Sequence, residues 1–133
     1  MLKSSLSILL LVIFLASIVS CAANNDATKT VENLLGEIAA LDLEIDTIIG
    51  AALCEDNSQC GYVEIGHKAC GGPAGFKIYS FLNTDTTLLI EKSQKHVSLS
   101  KNYNELTGLD SDCSIEQPPI VICNIKCISE QKG

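Results

Sequence analysis

Apolar and polar residues alternate between residues 26 and 52 with the period of an amphipathic helix. Asp26, or one of the two threonines that follow it, can cap the start of this helix. Gly36 and Gly50 fall off its apolar side, within the predicted helix. Spaced alternately by three and four positions, the apolar side chains form one stripe: Val31, Leu34, Ile38, Leu41, Ile45, Ile48 and Ala52.

The same spacing is compatible with a coiled coil. However, Glu37, Asp42 and Glu44 flank the stripe, and two parallel copies would bring these carboxylates against each other. The sequence therefore favours packing of the helix on its own domain. A partner helix with basic flanks is the alternative.

The helical period gives way to strict alternation after the polar loop between Cys54 and Cys60. Residues 61–65 and 75–82 are rich in β-branched and aromatic residues, which predicts two strands. Residues 66–74 contain glycines and a proline, so they are predicted to form the connecting loop.

A second helix is predicted to follow, with Asn83 or Thr84 as its cap and Asp85 in its first turn. Gly108 is the predicted stop, because glycine readily adopts the left-handed conformation that ends helices. The predicted apolar face consists of Leu89, His96, Leu99, Tyr103 and Leu106.

Two short strands, residues 120–123 and 127–128, are predicted to close the chain. They follow Pro118 and Pro119, which cannot donate hydrogen bonds to a strand ladder. Helix, two strands, helix and two strands in that order predict an α+β domain, with a small antiparallel sheet and two helices packed on it. One such domain is predicted over residues 26–133.

Residues 1–20 carry the features of an export signal. Lys3 precedes an apolar run over residues 6–19, which is shorter than the roughly 20 residues needed to cross a bilayer. Ile18-Val19-Ser20-Cys21 matches the bacterial lipoprotein box, which predicts lipid on Cys21, a tether over residues 21–25 and attachment to the membrane of the cell envelope. Alternatively, an ordinary signal peptidase removes Cys21 and the protein is secreted.

The six remaining cysteines are an even set in a chain predicted to be exported. Such a set predicts three disulfides in an oxidising compartment. Six cysteines can pair in many ways, and their spacing does not select one. If one cysteine begins the first strand and another lies in the last, a bond between them would tie the two ends of the sheet together. The six are Cys54, Cys60, Cys70, Cys113, Cys123 and Cys127.

The charge balance argues against two classes of partner. The chain has nine lysines, no arginine and sixteen acidic residues, for a net charge of −7. Arginine is the residue best suited to gripping phosphates and base edges, so nucleic-acid binding is not expected. Attraction to an anionic lipid surface is equally disfavoured. The acidic surface suits a basic partner, or serves only solubility.

Residues 66–73 read Gly-His-Lys-Ala-Cys-Gly-Gly-Pro, between a cysteine-bearing strand and a strand that ends in Tyr79-Ser80. This pattern resembles a family of small uncharacterised bacterial exported proteins and lipoproteins that share Gly-x-Lys-x-Cys-Gly-Gly-Pro. The closing segment, with its two prolines and two cysteines, is similar as well, so the resemblance covers residues 54–129. Some members lack counterparts of both Cys60 and Cys127, which supports a bond between them. The resemblance implies an exported fold and no particular activity.

The closeness of His67 and Cys70 raises the possibility of a cysteine–histidine nucleophile. Such a nucleophile needs a free thiol with a lowered pKa, whereas a set of six matched cysteines predicts that Cys70 is oxidised. The chain has no Cys-x-x-Cys pair, and its two histidines lie 29 positions apart. We therefore predict no catalytic residue, no metal site and no cofactor.

Two further features have a structural and a functional interpretation. His96 on an apolar helix face is expected to be a hydrogen-bonded core histidine. Gly71 and Gly72, after Lys68, can present backbone N–H groups to an anion, or they can simply form a sharp turn. The sequence favours the turn.

The predicted function is that of a monomeric, non-enzymatic binding domain, whose cysteine-anchored loops 66–75 and 110–119 contact a protein partner. An extracellular hydrolase that the domain inhibits is one such partner, because a disulfide-fixed loop loses little conformational entropy on binding. The alternative is a structural envelope lipoprotein without a specific ligand. The candidate binding residues are His67, Lys68, Gly71, Gly72, Pro73, Pro118 and Pro119.

Overall fold

The computed structural model describes residues 28–130. The predicted signal peptide, the lipid site at Cys21, the tether and the capping residue Asp26 lie outside the described residues. Leu34–Gly133 form one compact unit. Met1–Asn33 form another, of which only the helical residues 28–33 are described. No helix in the described part of the chain is long and apolar enough to cross a membrane.

The first helix, α1, spans residues 28–49. Its predicted stripe is largely confirmed, since Leu34, Leu41 and Ile45 are buried. The last buried position is Ile49, whereas Ile48 is only partly buried.

The predicted extension of α1 to residue 52 is wrong. Gly50 adopts φ +59° and donates its N–H to the carbonyl of Asp46 at 3.0 Å. Glycine reaches this left-handed conformation without a Cβ clash, so it ends the helix. Ala52 is buried, but it follows the turn that ends the helix and has φ +50°.

A hairpin of two strands follows. A short 3₁₀ helix, Asn57–Gln59, leads into β1, Cys60–Ile65, which pairs antiparallel with β2, Gly75–Ser80. The register sets Cys60 opposite Ser80. The second strand is two residues shorter than predicted, because residues 81–83 form a turn that leads to the second helix.

The second helix, α2, spans Thr86–Thr107, and Gly108 ends it with φ +61° as predicted. Its N-cap is Asp85, whose carboxylate accepts the Leu88 N–H at 3.0 Å. The prediction that Asp85 lies in the first turn, with the cap before it, is thus wrong by one residue. The side chains of Leu89, Ser93 and His96 are buried. Leu106 is 53% exposed, so the apolar face ends before the last turn.

The last two strands form a second hairpin. Val121–Asn124, β3, pairs antiparallel with Lys126–Ser129, β4, across Ile125 at φ +64°. The α+β class is confirmed, but the strands form two small sheets rather than one.

Three disulfides connect these elements, as predicted. Cys60 and Cys127, which are 67 positions apart in sequence, join β1 to β4. Three intact disulfides are typical of an extracellular or otherwise oxidising compartment. The other two bonds are Cys54–Cys123, across 69 positions, and Cys70–Cys113, across 43.

The core lies where α1 and α2 meet the first hairpin, and Ile45 and Leu89 are fully buried there. Each acid that flanks the α1 stripe pairs with a lysine of the same compact unit. This explains how the helix packs on its own domain despite its acidic flanks. The pairs are Glu37 with Lys95 at 2.9 Å, Asp42 with Lys77 at 2.9 Å and Glu44 with Lys92 at 2.6 Å.

Candidate functional site

The structure brings the two predicted binding loops together. Cys70, in the first loop, is bonded to Cys113, in the second, with their Cα atoms 5.3 Å apart. Both cysteines are exposed, and residues 109–120 have no regular secondary structure. We call residues 66–75 and 110–119 the paired-loop surface.

Lys68 fastens the two loops to each other. Its Nζ donates to the Ser114 carbonyl at 3.0 Å, to the Ser114 Oγ at 2.7 Å and to the Glu116 carboxylate at 2.8 Å. The hydrogen bond to Glu116, aided by the charges of Glu116 and Asp112, raises the Lys68 pKa against the opposing effect of burial. The Lys68 side chain is only 15% exposed, so this residue braces the surface from within.

Asp112 shapes the second loop from its own side. Its carboxylate accepts the Ser114 N–H at 3.0 Å and the Ser114 Oγ at 2.9 Å. These bonds lower the pKa of Asp112, and the nearby Lys68 charge adds to the effect. Ser114 is therefore held by both loops.

The glycine pair forms a turn, in agreement with the favoured interpretation. Gly71 donates its N–H to the Lys68 carbonyl at 2.9 Å, and the Lys68 N–H donates to the Gly72 carbonyl at 3.0 Å. The two glycines have φ values of +100° and +80°, which side-chain-bearing residues rarely adopt. Because the Gly71 N–H is used inside the turn, it is not directed at an anion.

The base of the first loop is attached to α2. Gly66 donates its N–H to Nδ1 of His96 at 3.1 Å, and the Asn104 amide donates to the His67 carbonyl. Gly66 has φ +67°, and a Cβ there would lie 2.8 Å from the Ala74 Cβ. The two ends of the loop therefore approach each other closely over the middle of the helix.

His96 is buried, as predicted, and its environment favours the neutral ring. Burial lowers the pKa of His96, the carboxylate of Asp42 at 3.8 Å from Nε2 raises it, and the charge of Lys77 lowers it. The net direction is downward. A neutral ring also leaves Nδ1 free to accept from Gly66.

We expect His96 to make stability depend on pH. Because its folded-state pKa is lowered, the unfolded chain binds the proton first as the pH falls below about 6.5. The contribution of the neutral His96 ring to the free energy of unfolding is complete above that pH. As the pH falls further towards the folded-state pKa, the free energy of unfolding decreases by at most about 1.4 kcal/mol per pH unit. Urea unfolding at pH 7.5 and pH 5.5 measures this loss.

The control is His96→Asn, whose amide oxygen can replace Nδ1 as the acceptor without titrating. We expect a shallower pH dependence for this variant than for the native protein. Equal slopes would show that other groups account for the acid sensitivity.

A cavity of about 260 Å³ lies behind the first loop, at the carboxyl end of α2. Nδ1 of His67 is buried and has no hydrogen-bond partner among the described residues. The residues at and just beyond the end of α2 that line the cavity were not anticipated from the sequence, since only the folded loop brings them next to His67. They include Lys101, Asn104, Glu105 and Leu109.

The candidate binding residues of the paired-loop surface differ in their exposure to solvent. Gly71, Gly72 and Pro118 are exposed, whereas Pro73 and Pro119 are partly buried. Sequence reasoning missed Ile115, which is 83% exposed in the second loop. The sequence did offer one indication: Ile115 lies between Cys113 and the proline pair, where it fits neither a helical nor a strand pattern of apolar residues.

The sulfur atoms of Cys54, Cys60 and Cys123 lie within 4.8 Å of one another, close enough for a shared metal ion. All three belong to disulfides, and an oxidised sulfur is not the thiolate that binds metals. Cys70 is likewise bonded to Cys113, so His67 has no free thiol at that position to activate.

Comparison with known proteins finds no matching protein-family model, no matching curated protein and no matching solved structure. The resemblance through Gly-x-Lys-x-Cys-Gly-Gly-Pro therefore stays a prediction. The function has to be argued from the paired-loop surface itself.

Proposed function

We propose that this protein is a non-enzymatic binding domain that presents the paired-loop surface to a protein partner outside the cytoplasm. One observation carries the proposal: two loops far apart in sequence are fixed to each other by Cys70–Cys113 and by Lys68, while Ile115 between their anchor points stays exposed.

The physical reason is preorganisation. A loop that is already ordered before binding loses less conformational entropy when it docks, so more of its contact energy appears as affinity. Loops serving only as connections do not need a disulfide, a three-way lysine brace and two attachments to a helix.

The disulfides and the amino-terminal sequence support the proposed location of the protein. The disulfides suit an oxidising compartment, and the lipoprotein box supports attachment to the bacterial envelope through Cys21. A diacylated terminal cysteine carries several acyl chains, which hold a protein on a membrane far better than one chain does. Mass analysis of the mature amino terminus tests the anchor, since an unmodified alanine or asparagine start would exclude it.

Partner capture with matched lysine variants tests the binding role. We expect Lys68→Met to lower the recovery of bound protein from envelope and secreted fractions at least tenfold, because the second loop loses its brace. Lys95→Met removes a lysine whose ion pair lies between the helices, away from the loops, and we expect it to retain native recovery. Both variants should keep all three disulfides and the native far-ultraviolet circular dichroism spectrum.

Equal recovery with Lys68→Met, Lys95→Met and the native protein would contradict the binding proposal. The structural envelope lipoprotein without a specific ligand would then be the better description.

A further inference from the structure

Ile115 has an unusual environment for a large apolar side chain. It is the most exposed large hydrophobic residue among residues 28–130. Single exposed apolar residues are common and need no explanation by themselves. Here, however, both sequence neighbours of Ile115 are held by the same partly buried lysine, since Lys68 binds Ser114 on one side and Glu116 on the other.

The Ser114 N–H and C=O are bonded to Asp112 and Lys68, and this holds the backbone of residues 115–117 in place without using their own peptide groups. Cys113 restrains it on the amino side through the disulfide, and Pro118 and Pro119 restrict it on the carboxyl side. Within the described residues, the peptide groups of Ile115, Glu116 and Gln117 form no hydrogen bond with the rest of the protein. Their N–H and C=O groups are therefore available to a partner.

We propose that residues 114–117 bind, in the manner of a substrate, in the active-site cleft of a peptidase, with the Ile115 side chain in the primary specificity pocket. This inference rests on the proposed function and names its partner class. Peptidase clefts grip an extended chain through its main-chain groups and admit one side chain into a pocket that sets specificity. An aliphatic side chain on a braced chain, with the peptide groups of residues 115–117 free, supplies both requirements.

The braces also explain why such a segment inhibits rather than serves as a substrate. If the peptide bond after Ile115 were cut, Ser114 and Glu116 would still be held on either side of Lys68, and Cys113 would still be bonded to Cys70. The new ends could not leave the cleft independently. The segment therefore stays bound where a flexible peptide would be released.

The charge around the segment adds a requirement on the partner. Asp110, Asp112 and Glu116 lie in this loop, and Lys68 of the first loop forms ion pairs with Asp112 and Glu116. A cleft with a basic rim therefore fits best, and association should slow as the salt concentration rises.

A change of pocket specificity provides the sharpest test. Elastase, which has a small apolar primary pocket, and trypsin, which has an aspartate in its pocket, are the two probes. We expect the native protein to inhibit elastase and not trypsin. Ile115→Lys should weaken elastase inhibition at least a hundredfold and produce trypsin inhibition with an inhibition constant in the micromolar range or below.

Ile125→Lys is the matched control. Ile125 is 80% exposed, almost as much as Ile115, but it lies in the turn between β3 and β4. We expect this variant to inhibit elastase like the native protein and to leave trypsin uninhibited. Rapid trypsin cleavage after position 115 of Ile115→Lys without inhibition, or no effect of that variant on trypsin at all, would overturn the proposal.

The two proposals fail separately. Loss of partner recovery with Lys68→Met, combined with a negative trypsin result for Ile115→Lys, would keep the binding domain and exclude the peptidase. Trypsin inhibition by Ile115→Lys, combined with unchanged partner recovery for Lys68→Met, would keep the substrate-like segment and show that the proposed brace is not needed.

Discussion

Full reduction is expected to unfold this protein. Cys54–Cys123 and Cys60–Cys127 close loops across 69 and 67 positions. Either closure alone is worth about 4 kcal/mol through the unfolded chain, and the second adds less because the two loops overlap. A domain of this size has a total stability of about 5–15 kcal/mol. Losing both restraints, together with the third, therefore leaves little or no net stability.

Circular dichroism and thiol counting measure this effect together. Without reductant, we expect no titratable thiol among the six cysteines from Cys54 to Cys127, even in denaturant. With reductant, the thiols should appear as the cooperative thermal transition disappears. Six titratable thiols in a chain that keeps its native spectrum and melting transition would contradict the prediction.

Double variants separate the core disulfides from the loop disulfide. Cys60 and Cys127 are both buried in the core, so replacing both by serine also places two hydroxyls in an apolar site. Cys70 and Cys113 are exposed, so the corresponding double serine variant should keep the fold and release the paired loops. Similar losses of stability in the two variants would mean that the loop disulfide supports the fold as much as the core pair does.

Leu41→Ala is expected to cost about 2–5 kcal/mol of the free energy of unfolding, the usual range when a buried leucine leaves a cavity. Leu41 is 4% exposed and belongs to the core cluster where α1 meets the rest of the domain. Chemical denaturation of the oxidised protein, at equal m-value, measures the loss.

Leu43→Ala is the control on the same helix. Leu43 is 68% exposed, so its truncation should change the free energy of unfolding by about 0.5 kcal/mol or less. If both variants lost the same stability, the face of α1 that carries Leu43 would also be buried in solution. That result would show that this face, outside the apolar stripe, is covered by a second molecule.

Short-range chemistry explains the elements that were predicted well. The stripe on α1, the stop at Gly108 and the alternating strands depend on neighbours a few positions away, and these are visible in the sequence. The errors at Gly50 and Asp85 have the same origin. A glycine near a helix end and an aspartate near a helix start each have two allowed roles, and only the backbone conformation selects between them.

The functional surface required contacts that sequence spacing does not reveal. Lys68 and Ser114 are 46 positions apart, and nothing in either segment marks the other as its partner. Ile115 has no periodicity that would mark it, because its importance comes from the exposure that the braced loop imposes. The cavity beside His67 likewise exists only where the loop meets the end of α2.

By itself, the sequence determined the α+β class, the positions of the main elements and the use of six cysteines as three cross-links. The class and the elements follow from local periodicity and turn chemistry, which act over short distances. The number of cross-links follows from the cysteine count, which is a property of the chain as a whole. Only the tertiary structure decided that the cysteines pair as they do, that the strands form two sheets and that two distant loops form one surface around Lys68. Those outcomes depend on contacts between residues that are far apart in sequence, and such contacts form only when the whole chain folds.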